Sequence, residues 1–394
     1  MSSAARIGLF MTICYAGMGA ILPYLPVWLE ESKGLSGAEI GFILASANIA
    51  RLVLGPLMAA WAEGRADRRT PLIFLAGASL ASYAALGVAP DFVSLACAGF
   101  AAGVFYQGMV PFIEAAALRL TRDAPVLSYG RVRGGASALF VAANIGVGAM
   151  LQTLGPWAAY GWIAACCVLL FASGFLLPRE ATGLAPMRFG ARLQAGVAML
   201  KEARFVVFIF AAGLIQAAHA YYYGFGSLVW IRQGVAEQLV GWLWALGVAA
   251  EIVFLVFLTR WSERFRPETL ILVGGAAAIL RWTIYAAAPP LWLVLPLQTL
   301  HALTFGATHL GTMRLLQSWY GDARAPTAQM MYASVAMAPV LGLATWASGP
   351  LYDAVTAGGY LLMSAIAGVG VVLAVRLSRW EREPQTPAHT QTPP

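Results

Sequence analysis

The chain has 394 residues, of which 60% are hydrophobic and only 11% charged, and its mean hydropathy is +0.72. So little charge excludes a water-soluble globule, and the long apolar runs exclude the short alternating segments of a β-barrel, which leaves an all-α integral membrane protein. The net charge of +7 does not imply nucleic acid, because of where the basic residues fall.

A helix that crosses a bilayer needs about 20 mostly apolar residues. Twelve segments qualify, at about 6–29, 38–61, 71–90, 92–118, 133–154, 157–177, 205–230, 239–260, 269–288, 291–316, 326–350 and 357–377. The first follows Arg6 but has no small-residue cleavage site, so it is expected to be retained as a helix. The longest polar gap separates six segments from six. The expected organisation is an N-terminal six-helix bundle (1–178), a cytoplasmic central loop (179–204), a C-terminal six-helix bundle (205–377) and a disordered cytoplasmic tail (378–394) rich in Pro and polar residues. Of the 25 Lys and Arg, all but Lys33, Arg51, Arg232 and Arg281 fall in one alternating set of connections and segment ends. By the positive-inside rule that set is cytoplasmic, and so are both termini. Cys14, Cys97, Cys166 and Cys167 all lie inside apolar segments and read as packing residues, with no metal site among them.

The second and eighth segments echo each other. With a shift of 200 residues, Gly34, Gly41, Ala45, Ala50, Val53, Trp61 and Glu63 recur as Gly234, Gly241, Ala245, Ala250, Val253, Trp261 and Glu263. Two parallel halves of this kind suit a rocking transporter with its site near the bilayer midplane. In this register Arg51 stands opposite Glu251. Arg51 is expected to pair across the halves and latch one conformation.

Charge inside a span is costly and marks function by default. Among the carboxylates, only Glu114 and Glu251 sit well inside predicted segments. In the first half, Glu114 on the fourth segment comes within reach of Arg133 at the start of the fifth. An Arg fork suits a carboxylate, whether from glutamate or from solute. Tyr106 and Gln107 lie nearby on the fourth segment. In the seventh, "HAYYYGFG" (219–226) offers Tyr222 and Tyr223 as walls for a ring. In the second half, His219, Glu251, Arg281 and His301 fall at similar depth, with His309 two turns on. Burial favours the neutral carboxyl and a nearby Arg favours the carboxylate, so rocking that changes either would load and unload a proton. No H-E-x-x-H or phosphate-binding loop is present, so neither an intramembrane enzyme nor an ATP-driven pump is expected, and no cofactor.

The connection "GPLMAAWAEGRADRR" (55–69) resembles a degenerate major facilitator superfamily signature: a Gly, an acidic residue, then basic residues. Gly55 and Arg68–Arg69 match, Glu63 stands where Asp is usual, and Gly64 where a basic residue is usual. The resemblance makes Glu63, Asp67 and Arg68 gating candidates. "YGRVRGGASALF" (129–140), "QAAHAYYYGF" (216–225), "GWLWALGVAAEIVF" (241–254), "LRW" (280–282) and "LQTLHALTFGATHLGTMR" (297–314) together resemble the 3-phenylpropionic acid permease family, a relation of the oligosaccharide:proton symporters. That implies the major facilitator fold and a proton-coupled uptake of a small solute across a bacterial inner membrane. Against lactose permease, Glu114 and Arg133 match its sugar-binding pair, and Arg281 and His301 match members of its coupling network. Thr304 and Val248 replace two of its carboxylates, and Glu251 lies one turn beyond Val248.

The expected function is therefore a symporter for an aromatic carboxylate such as 3-phenylpropionate, with a sugar or nucleoside:proton symporter as the alternative. Glu251, Arg281, His301, His219 and His309 would handle the proton. Arg133, Glu114, Tyr106, Gln107, Tyr222 and Tyr223 would hold the solute. Its expected partners are that solute, protons and membrane lipids, with the protein acting as a monomer.

Overall fold

A computed structural model describes residues 1–63, 65, 67–122, 126–179 and 189–380. Among the described residues the protein is 88% helical with no strands. Its membrane-crossing elements are span 1 (Ser3–Glu31), span 2 (Gly37–Glu63), span 3 (Arg69–Val88), span 4 (Phe92–Leu120), span 5 (Tyr129–Leu154) and span 6 (Trp157–Gly174). Span 7 (Ala203–Arg232), span 8 (Glu237–Leu258), span 9 (Pro267–Ala286) and span 10 (Leu291–Asp322) follow. A last apolar stretch, Arg324–Trp380, runs for 57 residues. At 1.5 Å per residue that is far longer than a bilayer is thick. Thr356, at φ 45°, reverses the chain, and the stretch is two crossings, span 11 (324–355) and span 12 (Tyr360–Trp380).

Local sequence sets several of these boundaries. Asp91 and Ser94 form a reciprocal capping box that starts span 4. The Ser94 N–H holds the Asp91 carboxyl below its usual range. Gly321, at φ 59°, separates span 10 from span 11, a conformation that Gly adopts without a Cβ clash. The expected central loop contains a helix, Phe189–Met199. It docks on the second half, where Met199 is buried with Phe205, Phe208 and Leu316. The expected tail starts within span 12, and its part beyond Trp380 lies outside the described residues.

Lipid gives helices no hydrophobic reason to associate, so close packing relies on small residues. The two halves meet along two such seams, span 2 on span 11 and span 5 on span 8. Gly41 lies against Gly349 and the Thr345 carbonyl. Its sequence counterpart, Gly241, lies against the Asn144 carbonyl. A Cβ at Gly241 would stand only 2.3 Å from that oxygen. The repeated glycines are thus the points where each half admits the backbone of the other.

Candidate functional site

Between described residues, the hydrogen bonds and ion pairs that join the halves all lie at one end of the bundle. Arg232 at the end of span 7 pairs with Glu30 at 2.5 Å. The Tyr352 hydroxyl donates to the same carboxylate at 3.0 Å. The Gly37 and Ala38 N–H groups, at the start of span 2, donate to Asp353 at 2.7 and 2.9 Å. The Asp353 carboxylate thereby caps a helix of the opposite half. The protein is closed at this end.

Charge-assisted bonds of this kind contribute about 1.5–3 kcal/mol each when shielded from water, and solvent exposure of Arg232 reduces that. The double variant Glu30→Gln, Asp353→Asn is therefore expected to open this end. In a Cys97→Ser background, a Leu22→Cys probe on the cavity wall should react about tenfold faster with an impermeant maleimide added from that end. An unchanged rate would assign closure to the glycine seams instead.

Beneath the closed end, spans 1–4, 7 and 11 enclose a cavity of about 160 Å³. Its walls are mostly apolar, among them Leu25, Leu29, Ile43, Leu44, Tyr83 and Leu341. Tyr106, Gln107 and Tyr223 line it, and so do Asn48 and Thr345. The Tyr106 hydroxyl is already committed to the Cys14 carbonyl at 2.8 Å. Tyr222 is not in this wall. It is buried in the second half, stacked on Trp244 with ring centroids 4.4 Å apart. Arg51 donates to Gln107 Oε1 at 3.2 Å, within its own half. The cross-half pairing expected for it is not among the described contacts.

Glu114 and Arg133 meet, Nε to Oε1, at 3.1 Å. The hydroxyls of Tyr15 and Tyr129 each donate to Glu114 at 2.6 Å, so both carboxylate oxygens are occupied. Arg133 also lies over the Tyr15 ring at 4.3 Å and donates to Ser137 Oγ at 2.6 Å.

Arg281 is fully buried. It donates to Gln298 Oε1, which the sequence reading overlooked. It also lies 3.3 Å from His301 Nδ1 and 3.3 Å from Thr304 Oγ1. An Arg only donates, so His301 Nδ1 must accept, and the neutral ring carries its proton on Nε2. That Nε2 points at Glu251 Oε2, 3.5 Å away. His219 follows by the same logic. Its Nδ1 is 3.0 Å from the Gln216 carbonyl and donates to it, leaving Nε2 to accept from Thr304 Oγ1 at 3.0 Å. Arg281, both histidines and Glu251 thus form one network with every ring nitrogen assigned. Aromatic faces of Trp282 and Tyr222 lie 4.6 and 5.0 Å from the guanidinium.

Two backbone irregularities frame this network. Span 10 widens into a π turn over Ala302–Ala307, directly after His301. Span 8 does so over Phe254–Leu258, beginning three residues after Glu251. Such turns recur at functional sites because they re-aim side chains. Along span 10, His301, Phe305 and His309 stack as a ladder. Span 7 breaks between Ala217 and Ala220, and His219 occupies the break.

The motif of the 2–3 connection is only partly described. Asp67 accepts from the Arg69 N–H at 3.0 Å, and Arg68 immediately precedes span 3. The side chain of Glu63 and residues Gly64 and Ala66 lie outside the described residues.

Comparison with known proteins agrees with this architecture. The sequence matches the MFS_1 like family over residues 5–361. It is 29% identical to the "Probable 3-phenylpropionic acid transporter" of Escherichia coli (strain K12), covering 89% of this chain and 91% of that one. It is 27% identical to a maltose permease of Geobacillus stearothermophilus, covering 95% and 94%. The crystal structure of the nucleoside transporter NupG superimposes with a TM-score of 0.83 at 15% identity, covering 98% of this chain and 100% of that one. These relatives and this fold are those of transporters, not enzymes. The chain belongs to the MFS_1 like family, and is a multi-pass membrane transporter with the major facilitator fold.

Proposed function

We propose that the protein is a proton-coupled symporter that imports a small aromatic carboxylate, such as 3-phenylpropionate, by alternating access. It sits in a bacterial inner membrane with both termini cytoplasmic, which makes the closed end periplasmic and the described conformation inward-facing. The observation that carries the reading is the Glu251–His301–Arg281 chain. Glu251 is the titrating group. It faces His301 Nε2 from span 10, 3.5 Å away. Because Arg281 occupies His301 Nδ1, His301 is held as a neutral donor and does not compete for the transported proton. Ionised Glu251 and Arg281 then balance through the imidazole, and protonation of Glu251 breaks that balance. Changing water access to Glu251 as the halves rock would set when the proton binds and leaves.

The apolar cavity favours an aromatic acid over a sugar. Each sugar hydroxyl buried without a partner costs about 1–3 kcal/mol, and most of the walls offer none. Gradient-driven uptake of labelled 3-phenylpropionate into proteoliposomes, challenged with aromatic acids, maltose and nucleosides, tests the assignment. Competition by aromatic acids alone is the expected result. Competition by maltose or nucleosides alone would transfer the site to the alternative solutes.

A further inference from the structure

We propose that Arg51 anchors the carboxylate of the solute, with its aromatic ring in the cavity above; the inference rests on the symporter reading and names its binding geometry. Arg51, Arg133 and Arg281 differ in what surrounds the guanidinium. Arg133 is ion-paired with Glu114 at 3.1 Å. Arg281 also has no carboxylate at ion-pair distance among the described residues, but it is sealed from solvent, with its terminal nitrogens on Gln298, His301 and Thr304 and its Nε unpartnered, so a solute does not reach it. Arg51 is half-buried, and its hydrogen-bond partner is a neutral amide, Gln107. Among the described residues no carboxylate stands within ion-pair distance of it. An intramembrane guanidinium without a counter-ion is costly, and such groups are kept for a ligand or a path.

Its position completes the argument. Arg51 is the fifteenth residue of span 2, about 21 Å along the helix from the closed end. Ala47 and Asn48, one turn earlier, line the cavity, and so does Gln107, which holds the guanidinium. A ligand with its charge on Arg51 would thus place its apolar end among Leu25, Ile43 and Leu341. A cavity of about 160 Å³ matches an apolar void of roughly 150 Å³ that is known to take a benzene ring. The anchor also supplies a reason for one-to-one coupling. A carboxylate on Arg51 together with a proton on Glu251 leaves the buried charge equal to that of the empty carrier, whereas either alone changes it by one.

The test is binding of 3-phenylpropionate and of its neutral amide to the purified full-length protein. The wild type is expected to bind the acid at least about tenfold more tightly than the amide, as a charge-assisted pair does. Arg51→Gln is expected to abolish that preference while keeping amide affinity, and Arg51→Lys to keep part of it. Ala47→Leu, which fills the cavity, is expected to weaken acid and amide alike. Loss of an unpaired charge does not endanger folding, and the melting temperature of Arg51→Gln is expected to equal or exceed that of the wild type. An acid preference that survives Arg51→Gln in a protein whose wild type binds and accumulates the acid would overturn the anchor alone. A wild type that binds no aromatic acid would overturn both the anchor and the proposed substrate.

Discussion

Replacement of Glu251 by Gln is expected to uncouple the transporter without stopping it. Glutamine keeps the shape of the side chain and mimics the protonated carboxyl, so it still faces His301 Nε2 but never releases a proton. For one coupled proton, an inward gradient of about one pH unit supports at most about tenfold accumulation of solute, and it stimulates the initial rate of net uptake. In proteoliposomes that protein-dependent stimulation of initial 3-phenylpropionate uptake is expected to disappear in Glu251→Gln. Exchange of labelled for unlabelled solute persists, because exchange needs the loaded carrier to rock but not to deprotonate. Glu251→Gln that retains gradient stimulation would make this carboxylate structural and move the proton site to His309 or to the solute itself.

Arg281→Gln is expected to be the most damaging single substitution in the second half. It strips donors from Gln298 and Thr304, frees His301 Nδ1, and leaves Glu251 without its balancing charge. Breaking a buried charge network by removing one member costs about 3–5 kcal/mol. A fall of several degrees in melting temperature in detergent, with loss of both exchange and gradient-driven uptake, is the expected outcome. Arg281→Lys is not expected to restore either. An ammonium cannot reach Gln298, His301 and Thr304 together, nor present a planar face to Trp282 and Tyr222. Full stability in Arg281→Gln would show that the hydrogen bonds around the guanidinium are replaceable by water.

The crossings were legible because lipid imposes one rule on every span, and hydropathy reports it directly. The network was legible for a related reason. Charge is so rare within these spans that Glu251, Arg281 and His301 stand out from their neighbours. The Gly41–Gly241 echo showed that spans 2 and 8 are equivalent, but not that each packs against the opposite half. What the sequence concealed depends on helix rotation and partner choice. Tyr222 reads as a cavity wall beside Tyr223, yet adjacent helical residues point about 100° apart, and only Tyr223 faces the cavity. Gln298 looked like an ordinary polar residue of span 10 until its amide was found bridging Arg281, Tyr222 and the Leu243 carbonyl. Glu30, Arg232 and Asp353 sit at helix ends, where charges are common. Nothing local distinguishes those that cross between the halves.

The most direct measurement is the initial rate of labelled 3-phenylpropionate uptake by wild-type proteoliposomes, with and without an imposed inward proton gradient. Protein-free liposomes must be subtracted, since the uncharged acid crosses lipid unaided. Proton coupling through Glu251 predicts a protein-dependent rate that rises with the gradient and falls back when a protonophore dissipates it. A protein-dependent rate indifferent to both would contradict the account and describe a uniporter.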